Sequence, residues 1–313
     1  MPILQVQNLT KIFKSGFWPF TKKTEFTAVN TISFDLKQGE ILGFLGTNGA
    51  GKSTTIHMLL GVLRPTSGII SYFGKDFNTQ KTAILKKVTF ASGFDKLPAR
   101  LTIWENLDIV GRIYSMPHNE RIDRITSLLK FFDMWDMRNR PTGTLSSGQA
   151  TRITLAKAFL SKPSLVLLDE PTATLDPDAA KEAREFVLRQ NQEHGVSILF
   201  TSHNMDEVTQ VCDRVLVLKS GTIIANNTPE QLARSVAQTR VHLMISNGLE
   251  QLIAYLQESG LKYTLHEHGI EIAIEEHGIA ALLIAMAERK INYTQISIDK
   301  PTLEDYFLSI SKK

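Results

Sequence analysis

Apolar and polar residues alternate through Leu4, Val6 and Ile12 in LQVQNLTKIF, and again over residues 31–36. A period of two predicts strands with one buried face. Between them, SGFWPFTKKTEF carries Gly16 and Pro19 and reads as a loop or hairpin tip. Its aromatics Phe17, Trp18 and Phe20, beside Lys22 and Lys23, suit local packing on the sheet or contact with a membrane surface or partner. EILGFLG is a continuous apolar run, which predicts a buried strand running into a glycine-rich turn. Residues 52–63 then read as a helix stopped at Arg64-Pro65. Strand, glycine turn, helix is the opening of an α/β unit. Residues 101–160 read as mostly helical, punctuated by Pro117, Pro141 and Gly143. LVLLDE is a second buried strand, residues 178–194 a helix, SILFTSH a strand and DRVLVLKSGTII a final hairpin.

After about Ser235 the texture changes. Residues 239–246 alternate through Val241, Leu243 and Ile245, and Leu249, Leu252, Ile253 and Leu256 mark one face of a helix. Tyr263 and Leu265 predict a strand, His268-Gly269 a tight turn, and Ile270, Ile272 and Ile274 its hairpin mate. A helix over 279–289, a strand over 291–298 and a last helix over 302–310 follow. The order β-α-β-β-α-β is that of the ferredoxin-like split unit. Two domains are therefore expected, at residues 1–235 and 238–313.

Composition fits that picture. The 313 residues suffice for about two domains. With 42% hydrophobic and 21% charged residues, disorder is not expected. The net charge of +3 is small and the basic residues are scattered, so no nucleic-acid partner is expected. Cys212 is the one cysteine, which excludes an intramolecular disulfide framework and fits a reducing compartment. No apolar run approaches the roughly 18 residues of a membrane span, and MPILQVQNLTK lacks a signal-peptide pattern. His266, His268 and His277 fall across a hairpin and a helix start and read as exposed turn histidines rather than metal ligands.

The chemistry is concentrated in the first domain. Gly46-Thr47-Asn48-Gly49-Ala50-Gly51-Lys52-Ser53 fits the phosphate-loop pattern, and these residues together with Thr54 are the expected nucleotide-binding segment. Glycines let the backbone curl so that its N–H groups point inward, and the helix adds its positive end. Lys52 would reach the β- and γ-phosphates, and the Ser53 hydroxyl would bind Mg²⁺. The run LVLLDE ends in Asp169 and Glu170. Two carboxylates at the end of a buried strand suit Asp169 as a Mg²⁺ ligand through water and Glu170 as the residue activating the attacking water.

Two further segments narrow the class. Leu145-Ser146-Ser147-Gly148-Gln149 resembles the LSGGQ signature of ABC ATPases, with Ser147 at its third position, and Thr201-Ser202-His203 resembles their switch histidine. The order of phosphate loop, signature, Asp-Glu strand, Asp176 loop and histidine matches that family over about residues 3–230. The resemblance implies an α/β P-loop ATPase domain with a helical subdomain, followed here by the small α+β domain. It implies that Phe13 stacks on adenine and that His203 contacts the γ-phosphate. It further implies that Ser146 and Gly148, in the signature with Ser147 and Gln149, contact a nucleotide held by an opposite subunit, and that Asp176 crosses the interface. ATP with Mg²⁺ would thus lie between two head-to-tail subunits, a second copy of the chain or a related ATPase.

The sequence also departs from the family. Counting nine residues back from Thr102 in Leu101-Thr102-Ile103-Trp104-Glu105-Asn106-Leu107, Gly93 stands where a glutamine is usual, with Asp95 near enough to suggest a substitute ligand. Thr47 replaces a usual proline and Thr174 a usual glycine or alanine. The tail Pro301-Thr302-Leu303-Glu304-Asp305-Tyr306-Phe307-Leu308 resembles that of ATPases serving ABC-2 type exporters of the daunorubicin-resistance-like group. The resemblance therefore implies an ATP-hydrolysing exporter subunit at the cytoplasmic face of the inner membrane. A separate permease would dock near residues 90–107. The competing expectation is a soluble ABC ATPase working on ribosomes or DNA. Against it stand the single cassette, the short distance between phosphate loop and signature, and the lack of a basic tract.

Overall fold

A computed structural model describes residues 2–15, 24–93, 95–236, 238–266 and 269–311. The aromatic tip (Phe17, Trp18, Phe20, Lys22 and Lys23) and His268 lie outside these residues. The chain divides into two compact units, residues 1–228 and 229–313.

The first unit opens with β1 (Pro2–Ser15) and β2 (Thr24–Lys37), which pair antiparallel. Then come β3 (Ile41–Gly46), α1 (Lys52–Leu59), β4 (Ser67–Tyr72), β5 (Lys75–Asp76), α2 (Phe77–Leu85) and β6 (Val88–Ser92). The helix expected to reach residue 63 ends at Leu59 because Gly61, at φ 67°, takes the left-handed conformation that closes helices. The mostly helical stretch is α3 (Ile103–Ile113), α4 (His118–Phe131) and α5 (Ser147–Phe159). The unit continues with β7 (Leu165–Asp169), α6 (Pro177–His194), β8 (Ser197–Thr201), α7 (Met205–Val211), β9 (Arg214–Lys219) and β10 (Thr222–Asn227).

One sheet has the order β2-β1-β4-β5, the other β10-β9-β3-β8-β7-β6. In the second, β3 runs parallel to β8 and β9, and β7 parallel to β6 and β8. Its central strands are buried on both faces, which is why ILGFL and LVLL read as unbroken apolar runs. The core between the sheets and α1 joins Leu4, Val6, Ile32 and Phe34 to Phe44, Ile56, Leu167 and Leu199.

The second unit begins with α8 (Pro229–Arg234) and β11 (Thr239–Asn247), followed by α9 (Leu249–Glu258), β12 (Lys262–His266) and β13 (Gly269–Ile274). It ends with α10 (Ile279–Glu288), β14 (Asn292–Asp299) and α11 (Leu303–Ser311). The boundary falls before residue 235 because α8 packs on α11. The sheet order is β12-β13-β11-β14, antiparallel throughout. Val241, Leu243, Ile270 and Ile272 bury one face of it against Leu252, Leu256, Leu282 and Met286 of α9 and α10. His266 is exposed at the end of β12, and His277 lies in a single helical turn at Glu276–Gly278. No helix among the described residues is long and apolar enough to cross a membrane.

Candidate active site

Because β3, β8 and β7 are parallel neighbours, their carboxyl ends lie on one edge of the sheet. Each end carries a loop, and crevices at such edges are where α/β sheets bind ligands. Here the three loops enclose a cleft of about 630 Å³. Asn48, Gly49, Ala50, Gly51, Lys52, Ser53 and Thr54 line one side, and Asp169, Glu170 and His203 the other.

The phosphate loop holds its curl through residues that only glycine fits. Gly51 precedes α1 at φ 104°, and a Cβ there would lie 2.5 Å from the carbonyl oxygen of Ala28. Lys52 Nζ donates to the carbonyls of Gly46 at 2.5 Å and Thr47 at 3.3 Å, which fixes those two residues behind the loop. Burial lowers the Lys52 pKa from its ordinary value, against the opposing pull of Glu170 and Asp169. An ammonium so placed gains from any anion entering the cleft.

The acidic side is tied together by Thr201. Its hydroxyl donates to Asp169 Oδ1 at 2.6 Å and accepts the Glu170 N–H at 3.0 Å. One oxygen of Asp169 is thus engaged by Thr201. Glu170 sits at φ 51°, a left-handed conformation uncommon for a side chain of this size and found preferentially at functional positions. Its Oε2 lies 2.6 Å from His203 Nδ1 and accepts the His203 N–H at 3.3 Å. A carboxylate only accepts, so Nδ1 carries the proton and Nε2 is left for other partners. The Glu170 side chain is 18% exposed and that of His203 75%. The donors Ser53 Oγ and Asp169 are all oxygen, the chemistry that a hard divalent cation such as Mg²⁺ takes.

Other expected residues lie outside this cleft. Phe13 is exposed on β1, with Lys11 Nζ 5.2 Å from its ring centre. Its cross-strand partner Phe26 lines the cleft instead. Directly opposed residues share a sheet face, so the two side chains project from the same face of the hairpin. Ser146 caps α5: its hydroxyl accepts the Gln149 N–H, and Gln149 Oε1 accepts the Ser146 N–H in return. Ser147 Oγ donates to the Thr174 carbonyl at 3.4 Å, and Gly148 packs near Leu175. Asp176 caps α6 by accepting the Ala179 N–H at 2.9 Å. Gly93 donates its N–H to the Asp169 carbonyl at 3.0 Å. Asp95 turns to Lys157 of α5, at 3.4 Å, and does not line the cleft as a substitute ligand would.

Phe26 and Thr201 were not legible as site residues. The register of β1 on β2 identifies Phe26 through Phe13. Thr201 precedes the Ser-His pair but carries no motif of its own.

An edge that gathers a phosphate loop, two carboxylates and a histidine is equipped for phosphoryl transfer, which depends on positioning and charge stabilisation. That places the protein among nucleotide-hydrolysing α/β proteins. The family model for ABC transporters matches residues 29–173. The chain is 36% identical over 215 residues to the ABC transporter ATP-binding protein NatA of Bacillus subtilis (strain 168), covering 68% of this chain and 87% of that protein. It is 31% identical to the linearmycin resistance ATP-binding protein LnrL of the same organism, over 99% of this chain and 98% of that one. A solved structure of an ATP-binding subunit of an ABC transporter superposes with a TM-score of 0.65 at 26% identity, covering 74% of this chain and 92% of that one. The chain belongs to the ABC transporter family, as an ATP-binding subunit with an ATPase cassette and relatives among exporter ATPases.

Proposed function

We propose that the protein energises an ABC-2 type exporter by hydrolysing Mg²⁺-ATP against a separate membrane permease. The observation that carries this reading is the cleft, where Lys52, Ser53, Asp169, Glu170 and His203 all converge. The match to the linearmycin resistance protein over both units supports the exporter assignment.

In this reading ATP enters with its phosphates against residues 46–54. Loop N–H groups and the amino end of α1 bind the phosphate oxygens, and Lys52 leaves its own loop carbonyls for the β- and γ-phosphates. Ser53, and Asp169 through water, would hold Mg²⁺, which would supply positive charge against the phosphates. Glu170 takes the proton of the attacking water as it lines up with the γ-phosphate. His203, oriented by Glu170 through Nδ1, presents Nε2 to the γ-phosphate. Phe13 and Phe26 supply aromatic surface for the base.

By the family resemblance Ser146, Ser147, Gly148 and Gln149, which lie outside this cleft, serve the nucleotide of a second subunit in a head-to-tail pair, and Asp176 meets that subunit at the interface. Two such sites close on ATP and open after hydrolysis. The permease docks near residues 90–107 and keeps the protein at the cytoplasmic face of the inner membrane. The test is purification of the tagged chain from detergent-solubilised membranes of its host. A stoichiometric polytopic partner is expected. Recovery alone, or with ribosomal or DNA-repair proteins, would overturn the exporter assignment.

A further inference from the structure

Behind the cleft, one carboxylate is buried among groups from two loops. Glu207 of α7 is 4% exposed. It accepts the Thr172 hydroxyl at 2.7 Å and the Ser202 hydroxyl at 2.9 Å, both on Oε2. Its Oε1 accepts from Arg184 of α6 at 3.0 Å. The two hydroxyl residues are themselves buried. Thr172 stands two residues beyond Glu170, and Ser202 immediately before His203. The carboxylate's own helix is anchored to the same loop. Asn204 Oδ1 accepts the N–H groups of Asp206 and Glu207, and the Asn204 N–H donates to Ser202 Oγ.

A buried carboxylate is costly to keep, and apolar packing often serves stability as well. A fully satisfied buried network instead fixes one geometry. Thr201 already joins the ends of β7 and β8. That bond holds Asp169 and the Glu170 N–H, whereas Glu207 bonds Thr172, two residues after Glu170, and Ser202, one residue before His203. The exposed His203 ring has one protein partner to orient it among the described residues, Glu170, at 2.6 Å. Its placement therefore depends on the spacing of the loops.

We propose that Glu207 is a positioning residue for ATP hydrolysis, clamping the loops after β7 and β8 through Thr172 and Ser202 so that Glu170 and His203 meet. It is not among the residues that line the phosphate-loop cleft. The proposal rests on the reading that Glu170 and His203 take part in hydrolysis, and Glu170→Gln serves as the control for that reading.

The experiment uses the full chain and compares Thr172→Val, which keeps the shape and loses the hydroxyl, with Thr172→Ser, which keeps the hydroxyl. Glu207→Gln is the third variant, and the threonine pair keeps the test open if that variant fails to fold. Steady-state kcat is measured alongside the equilibrium Kd for ATP. Thr172→Val and Glu207→Gln are expected to lower kcat by about tenfold or more with Kd within about threefold, and Thr172→Ser to stay within about threefold of the parent in both. Three results would overturn the clamp: unchanged kcat in Thr172→Val, equal losses in the valine and serine variants, or a Kd that weakens as much as kcat falls. If Glu170→Gln itself hydrolyses ATP normally, the reading of the active site fails instead.

Discussion

Restoring the glutamine that the family resemblance leads one to expect at position 93 should slow this enzyme. Gly93 has an ordinary φ, so backbone conformation does not exclude a side chain. Space does: a Cβ there would lie 2.2 Å from the carbonyl oxygen of Glu170, where ordinary contact begins at 3.4 Å. The missing distance, about 1 Å, must come from backbone, since no flexible side chain stands in the way. The Glu170 backbone has little freedom to supply it. It lies at φ 51°, and its N–H is held by Thr201. Overpacking of this kind costs about 1–3 kcal/mol. A reacting group displaced by about 1 Å loses roughly 100-fold in rate. We therefore expect Gly93→Gln to lower kcat by about 10- to 100-fold, and Gly93→Ala to do nearly the same because the clash begins at Cβ. Phosphate release at saturating ATP measures the effect, with thermal unfolding to monitor the fold. A Gly93→Gln protein as fast as the parent, or a fully active Gly93→Ala beside an inactive Gly93→Gln, would refute the steric reasoning.

Two other perturbations probe separate parts of the structure. Phe26→Ala should weaken ATP affinity by about tenfold in equilibrium titration, the scale of a lost base-stacking ring; unchanged affinity would assign the base to Phe13 alone. Asp108 accepts from Arg112 at 2.7 Å and from buried Arg121 at 2.6 Å. Burial opposes its ionisation, but the two arginines prevail and hold its carboxyl below the usual value. A depressed folded pKa stabilises above the unfolded value of about 3.9 and loses that contribution as pH falls through the folded value. Asp108→Asn should thus cost about 1–2 kcal/mol at pH 7 and progressively less below pH 4, measured by denaturant unfolding at both pH values. A difference independent of pH would contradict this.

Local chemistry was the legible part of the sequence. The phosphate loop needs only its own glycines and lysine, so residues 46–53 could be read without tertiary information. Asp169 and Glu170 stood out because charge at the end of a buried strand requires a reason. Period-two alternation likewise gave β11 and β13 of the second unit. What depends on neighbours was not legible. The half-exposed SGIISY of β4 has no clear period, and β4 through β6 follow one another in short pieces. Phe26 joins the site only through the register of a hairpin, and Glu207 only through packing of α7 on two loops. The early end of α1 turned on Gly61, one residue past the cap. The absence of the usual glutamine was visible at once, but the close approach of the Glu170 carbonyl to Gly93 was not.

The proposed function requires two subunits to close on ATP, each supplying Ser146 and Gly148 to the other's cleft. Glu170→Gln removes the proposed base while leaving Lys52, Ser53 and Asp169 in place. The most direct measurement is the mass of this variant by light scattering, with and without Mg²⁺-ATP, together with its bound nucleotide. The account predicts a dimer that retains unhydrolysed ATP and falls back to monomer when nucleotide is withdrawn. A monomer saturated with ATP would contradict it.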